Sequence, residues 1–259
     1  MEALSTQYRD TVRTGPAIPL TVYENPAAYP FRNPEPETTA APPLPLPSIA
    51  EAALVQPQTA LGRTFDVMMA FLAALVFLPF LILTAIAIKI STPGPALFVQ
   101  RRVGRDGKLF PCLKFRTMVV NSQEVLAELL ASSPEARTEW DRDQKLRRDP
   151  RITPLGHILR KSSLDELPQL FNILAGHMSI VGPRPIVEAE IPRYGDRFAF
   201  YCSVRPGLTG LWQVSGRNDV SYETRVRLDA FYAMRKSTAY DFAICLRTVP
   251  AVLSSRGVF

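Results

Sequence analysis

From Val67 to Ile88 the chain runs 22 residues without a charge, between Asp66 on one side and Lys89 on the other. A run of this length has to be buried, in lipid or in protein, and nothing else in the sequence restricts folding so tightly. As one helix it is about 33 Å long, enough for a hydrocarbon core of about 30 Å. Pro79 divides it into arms of twelve and nine residues, about 18 and 14 Å, and neither arm spans alone. The missing N–H of Pro79 also leaves the Leu75 carbonyl without its helical donor. Three structures meet these constraints: a kinked spanning helix, a re-entrant helical hairpin that enters and leaves one leaflet, and a buried core helix.

Charge narrows the setting. The net charge is +6, yet residues 1–60 carry three arginines against six acids. Residues 89–119 reverse this, with Lys89, Arg101, Arg102, Arg105, Lys108, Lys114 and Arg116 against Asp106 alone. A block of this kind seeks phosphate, on lipid headgroups, nucleic acid or a phosphorylated substrate. In either membrane arrangement it lies at the headgroups, and the positive-inside bias then places the C-terminal part in the cytoplasm.

The segment before the apolar run has a different character. Residues 1–57 hold 11 of the 24 prolines, including Pro42-Pro43-Leu44-Pro45-Leu46-Pro47, and read as a disordered tail with polyproline II character. It serves as a linker or, alternatively, as a Pro-x-x-Pro ligand. The apolar run begins too deep for a signal peptide. After it, Ala96–Arg102 and Leu109–Arg116 alternate apolar and polar residues around Gly104-Arg105-Asp106-Gly107, which predicts a β-hairpin with Arg105 and Lys108 at its tip. Helices are expected over 122–131 and 134–147, broken at Ser133-Pro134, from Pro154 to about Arg160, and over 221–236 and 239–254. The two terminal helices have apolar faces edged by arginines, which suits a membrane surface or a helical core.

The chemistry falls to carboxylates and basic groups. Cys112, Cys202 and Cys245 are odd in number and far apart, and His157 and His177 are too few for a zinc site. Neither a P-loop nor a Rossmann glycine pattern occurs, nor a Gly-x-Ser-x-Gly elbow. Nothing resembles an RNP motif or a recognition helix, so no nucleic acid partner is expected. Asp165-Glu166 is the one adjacent acidic pair. Leu164, Leu167, Leu170, Phe171 and Leu174 mark one face of a helix, and Pro168 requires that helix to start near Asp165. Two roles fit the pair. One is a helix start in which Ser163 and Glu166 form a capping box. The other is catalytic, with one carboxylate attacking phosphorus and its neighbour holding a divalent cation or managing a proton. Lys114 and Arg116, with Arg160 and Arg184, would neutralise a pyrophosphate. Arg184 lies in Gly182-Pro183-Arg184-Pro185, whose prolines hold an extended loop, and Arg205-Pro206-Gly207 repeats a basic group beside a glycine turn.

Five ordered strings then point to a family: Lys114-Phe-Arg-Thr-Met118, Ser163-Leu-Asp-Glu-Leu-Pro-Gln-Leu-Phe-Asn172, Val181-Gly-Pro-Arg-Pro185, Arg205-Pro-Gly-Leu-Thr-Gly210 and Gln213-Val-Ser-Gly-Arg-Asn218. Over about residues 60–259 the chain resembles the bacterial sugar transferases, the monotopic polyprenyl-phosphate phosphoglycosyl transferases. The resemblance implies an α+β, mostly helical fold with amphipathic interfacial helices and a small β-hairpin. It divides the chain into the tail of 1–57, a re-entrant membrane helix over 60–92 broken at Pro79, and a catalytic domain over 93–259. The enzyme would sit on the cytoplasmic face of the bacterial inner membrane. The resemblance further implies that Asp165 is the nucleophile, attacking the β-phosphorus of a UDP-sugar and releasing UMP, and that undecaprenyl phosphate then takes the sugar phosphate. Mg²⁺ is the implied cofactor, with Asp165 as its ligand, and Glu166 completes the dyad. Lys114, Arg160 and Arg184 match basic residues of the active site, and Asp229 matches a C-terminal acid. Membrane lipid is a further partner, and a homo-oligomer is allowed.

Three positions depart from the family pattern: Leu78 stands before Pro79 in place of a serine, His177 in place of an acid, and Arg235-Lys236-Ser237 in place of an aromatic-bearing stretch.

Overall fold

The computed structural model of the chain describes Val55 and residues 58–143, 146–216 and 220–253. The tail expected over 1–57 therefore lies, but for Val55, outside the described residues. What is described is mostly helical, with two small two-stranded sheets.

The apolar run lies within one long helix, α1 (Ala60–Ser91), and helical structure continues through Pro79. By length and composition α1 is able to cross a membrane. It opens on Thr59, whose Oγ1 accepts from the Gly62 N–H at 3.1 Å, an ordinary N-cap. Its buried positions fall in two groups, Gly62, Asp66 and Ala70 near the start and Leu81, Thr84 and Ile88 near the end. Steps of three and four residues place each group on one face. Between them Phe71, Leu72, Leu75, Val76, Phe77 and Leu78 are all exposed.

The hairpin forms as expected. Strands β1 (Leu97–Val103) and β2 (Leu109–Phe115) pair antiparallel, from Leu97 opposite Phe115 to Val103 opposite Leu109. A 3-10 turn over Arg105–Gly107 makes the tip, with φ of 60° at Asp106 and 71° at Gly107, the left-handed region that Asp tolerates and Gly favours. Helices α2 (Ser122–Ser132) and α3 (Pro134–Asp143) are separated at Ser133-Pro134. In α4 (Pro154–Lys161) the Thr153 Oγ1 accepts from the Gly156 N–H at 2.9 Å. A Cβ at Gly156 would stand 2.1 Å from the Thr117 carbonyl oxygen, so only glycine allows this helix to approach so closely.

The acidic pair is built differently from its expected form. Instead of a helix beginning near Asp165, a 3-10 turn covers Leu164–Glu166 and the six-residue α5 (Gln169–Leu174) follows. Pro168 immediately precedes α5, where its missing N–H costs no helical bond. Ser163 has a φ of 57° and caps nothing, so the Ser163–Glu166 capping box is absent and Glu166 is free to point elsewhere.

Beyond α5 a short parallel ladder joins β3 (Ser179–Val181) to β4 (Gly207–Thr209). Between these strands lie α6 (Ile191–Tyr194) and α7 (Phe198–Ser203), and after them α8 (Leu211–Val214), α9 (Tyr222–Arg235) and α10 (Thr238–Leu253). The two terminal helices differ in burial. Val226, Leu228, Ala230, Tyr232 and Ala233 bury α9 in the core, whereas α10 buries Ile244 and exposes Phe242, Leu246 and Val249. Their junction explains one departure from the family pattern. Lys236 Nζ donates to Tyr232 Oη at 2.6 Å and to Asp241 Oδ2 at 3.0 Å, and Ser237 Oγ accepts from the Tyr240 N–H. That stretch is a polar lock between helices.

Candidate active site

Strand alternation sets the site's floor. In the β1–β2 register Gln100 faces Cys112 and Arg102 faces Phe110, so Gln100, Arg102, Cys112 and Lys114 project from one face of the hairpin. The 3-10 turn brings Glu166 over that face. Its Oε1 accepts from Lys114 Nζ at 2.6 Å and from Arg184 Nη2 at 3.0 Å. Burial opposes the charge on Glu166, but Arg184 and Lys114 outweigh it and hold the carboxyl down at about 2, so this group is an anion at any physiological pH.

Arg184 is held by its loop as the flanking prolines suggested. The Gly182 N–H donates to Thr209 O at 2.9 Å and the Gly207 N–H to Pro183 O at 2.8 Å. Arg102 Nη1 donates to Pro185 O at 3.0 Å. A Cβ at Gly182 would meet the Arg205 carbonyl oxygen at 2.3 Å, so the loop and β4 touch through backbone. The result is a shallow cleft lined by Arg102, Lys114, Glu166, Gln169 and Arg184, with Cys112, Pro185 and Leu208 as an apolar wall. Three cations face one carboxylate there, an excess that suits a phosphate.

Asp165 stands next to this cleft, half-buried. Burial pushes its carboxyl above the usual aspartate value, while Lys114, Arg160 and Arg184 pull it down and Glu166 adds to the rise. Among the described residues it makes no hydrogen bond and no ion pair, in contrast to Glu166. Arg160 donates through Nε to Thr117 Oγ1 at 2.8 Å and feels the charge of Asp165. The structure thus brings Asp165, Glu166, Lys114, Arg160 and Arg184 together.

Three other residues expected at the site lie elsewhere. Arg116 is buried beneath the end of α1, donating from Nη1 to Pro93 O at 2.6 Å and from Nη2 to Thr92 O and Oγ1 at 3.0 and 2.9 Å. Arg205 works at the opposite end of α1, with Nε on Gly176 O at 2.9 Å and Nη1 on Gln58 Oε1 at 2.6 Å. Both arginines fasten the apolar helix rather than face the cleft. Asp229 is 1% exposed in α9 and accepts from Tyr194 Oη at 2.8 Å, with Arg225 Nε at 3.9 Å. It reaches the cleft only through a chain of charges: Arg225 to Glu190 at 3.9 Å, then Glu190 to Arg102 at 3.7 Å.

Burial pushes Asp229 up to about 7, against Arg225 and the Tyr194 hydrogen bond. Above its ordinary value near 4 the unfolded chain loses this proton while the folded one keeps it, so stability falls with rising pH until about pH 7 and then levels. Asp229→Asn removes that slope. Thermal melts of the variant are expected to gain on the wild type between pH 5 and pH 8, by about 2–4 kcal/mol; parallel curves for the two proteins would refute the assignment.

Two cleft residues, Arg102 and Gln169, were not singled out from sequence. Arg102 was detectable by strand alternation from Lys114 through the hairpin register. Gln169 carried no signal beyond its place three residues after Glu166.

Comparison with known proteins supplies the family. The Bacterial sugar transferase family matches residues 57–255, and the chain belongs to that family. It is 52% identical over 199 residues to the undecaprenyl-phosphate galactose phosphotransferase of Salmonella typhimurium, covering 77% of this chain and 42% of that protein. The chain thus spans less than half the length of that relative. It is 51% identical over 197 residues to the exopolysaccharide production protein ExoY of Sinorhizobium fredii, covering 76% of this chain and 87% of that protein. With the UDP-glucose:undecaprenyl-phosphate glucose-1-phosphate transferase of Caulobacter vibrioides the identity is 40% over 205 residues, covering 76% of this chain and 71% of that one.

Proposed function

We propose that the protein transfers a hexose 1-phosphate, of glucose or galactose, from a UDP-sugar to undecaprenyl phosphate, the first membrane step of exopolysaccharide synthesis. The observation that carries this reading is Asp165, a half-buried carboxylate without a partner among the described residues, set beside a cleft where Arg102, Lys114 and Arg184 outnumber Glu166. A carboxylate oxygen of Asp165 attacks the β-phosphorus, the bond from that phosphorus to the bridging oxygen breaks, and UMP leaves with the electron pair. An oxygen of undecaprenyl phosphate then attacks the same phosphorus, the bond to Asp165 breaks, and the carboxylate is restored. Lys114 and Arg184, fixed by Glu166, neutralise the phosphate oxygens at both steps, and Arg160 adds positive charge beside the nucleophile.

Mg²⁺ fits this arrangement as a substrate-borne ion. Among the described residues no group of three His, Cys, Asp or Glu side chains is placed to hold a metal, and Mg²⁺ commonly takes one or two carboxylates together with substrate phosphates. Asp165 is the carboxylate left unengaged to hold it, and the ion would supply charge neutralisation at the diphosphate.

The lipid acceptor gives a purpose to α1. Its start is held by Asp66, Arg63 and Arg205, and its end by Arg116, all against the same catalytic unit. A spanning helix would put its ends on opposite faces of the bilayer. Fastening at both ends, with an exposed apolar stretch between them, supports a re-entrant helix in one leaflet, bent near Pro79, with the site on the cytoplasmic face of the bacterial inner membrane.

Intact-protein mass after incubation with Mg²⁺ and UDP-glucose or UDP-galactose, without lipid acceptor, is the test. A phosphohexose adduct with UMP release is expected, and no adduct and no UMP from folded protein would overturn the reading. The same assay predicts a pH effect. Lys114 holds the Asp165 carboxyl down, so Lys114→Met raises it further, and the acid limb of the rate profile is expected to move to higher pH. An unmoved limb would show that some other group titrates there.

A further inference from the structure

We infer that Gln169 reads a hydroxyl of the transferred hexose, an inference that rests on the function proposed above. Gln169 opens α5, three residues after Glu166 and four after Asp165, and lines the cleft. It is 2% exposed, yet among the described residues its carboxamide makes no hydrogen bond. Asn172, on the next turn of the same helix, shows what a satisfied buried amide looks like here. Its Nδ2 donates to Pro111 O at 2.7 Å and its Oδ1 accepts from the Leu113 N–H at 2.9 Å, knitting α5 to β2. The Gln169 amide atoms are not sealed in the interior; they border the cleft, where a ligand can supply the bonds that the protein does not.

The chemistry of the cleft selects the ligand group. A phosphate oxygen only accepts, and Arg102, Lys114 and Arg184 already offer it N–H groups; the Gln169 carbonyl oxygen would gain nothing from it. A carboxamide both donates and accepts, and a sugar hydroxyl is its match in both respects. The wall of Cys112, Pro185 and Leu208 suits the C–H surface of a pyranose ring, which a bare phosphate lacks. Asp165, which bonds to the phosphorus that carries the hexose, lies in the 3-10 turn four residues before Gln169. Glucose and galactose differ only in the orientation of one hydroxyl. An amide that reads a hydroxyl the two share serves either donor, and a donor lacking that hydroxyl leaves it unsatisfied.

The test compares UDP-glucose, UDP-galactose and their monodeoxy derivatives by kcat/KM for UMP release, in wild type and Gln169→Met. In wild type, removing the hydroxyl that Gln169 contacts is expected to cost at least about 10-fold. In Gln169→Met that deoxy donor and its parent are used equally, and UDP, which has no sugar, binds both proteins within about twofold. Wild type that uses every deoxy donor as well as its parent overturns the inference, whether or not the variant folds. So does a variant that loses UDP affinity as much as donor affinity, since the amide would then contact the diphosphate. No UMP from any donor with folded wild type would fail the proposed function itself, a result distinct from either of these.

Discussion

Asp165→Asn is expected to lower turnover by at least about 10,000-fold, because in the proposed reaction it removes the nucleophile and leaves only positioning and charge neutralisation. The substitution is nearly isosteric and is not expected to disturb folding. Asp165 has no hydrogen bond or ion pair to lose among the described residues, and burial already disfavours its charge. Donor binding is expected to persist, since the variant loses both a negative charge facing the diphosphate and a ligand for Mg²⁺ while Lys114, Arg160 and Arg184 remain. Loss of turnover with retained donor affinity is the pattern of a group whose main work lies in the chemical step. The intact-mass assay makes the same point directly: an adduct on wild type alone assigns the nucleophile. An adduct on both proteins would mean that another side chain attacks, and Asp165 would lose its role.

The largest effect on stability is expected at Asp66, far from the chemistry. Asp66 is 1% exposed and lies just before the uncharged run. Its carboxylate accepts from Ser179 Oγ at 2.8 Å, from the Ile180 N–H at 3.0 Å and from Gln58 Nε2 at 2.6 Å, with Arg63 Nη1 at 4.0 Å. It is therefore the group that joins the start of α1 to β3. Asp66→Ala strands the Ile180 N–H and the Ser179 hydroxyl in the interior and leaves Arg63 without its anion, a loss of about 3–5 kcal/mol. Asp66→Asn keeps an acceptor for Ile180 and is expected to lose less than half of that. Denaturation in detergent or nanodiscs measures both variants. An Asp66→Ala protein that melts with the wild type would remove the fastening of α1 that supports a re-entrant helix.

Much of the local structure followed from residues close together in the chain. Alternation around Gly104-Arg105-Asp106-Gly107 located the hairpin, and Ser133-Pro134 and Pro154 marked helix boundaries that the fold respects. Local rules were less reliable at the dyad. The spacing puts Pro168 inside the first turn of a helix, whereas it precedes one, and Ser163 sits in a left-handed conformation that no side-chain pattern announces. The parallel pairing of β3 with β4 joins segments 28 residues apart in register and had no nearby signal at all.

The basic residues show most clearly where each kind of information ends. Composition and motif order marked a phosphate-seeking block and an acidic pair, and family resemblance attached them to a reaction. Which arginine faces the cleft was decided by the fold. Arg116 lies two residues from Lys114 and shares its string, yet it turns away to hold Thr92 and Pro93. Arg102, twelve residues earlier, shares a face of the hairpin with Lys114 through strand register and lines the same cleft. Charge and hydropathy are properties of single side chains and can be read in order along the chain. A binding site depends on directions, which strand pairing, a backbone contact at Gly182 and the burial of α9 impose only once distant segments have packed.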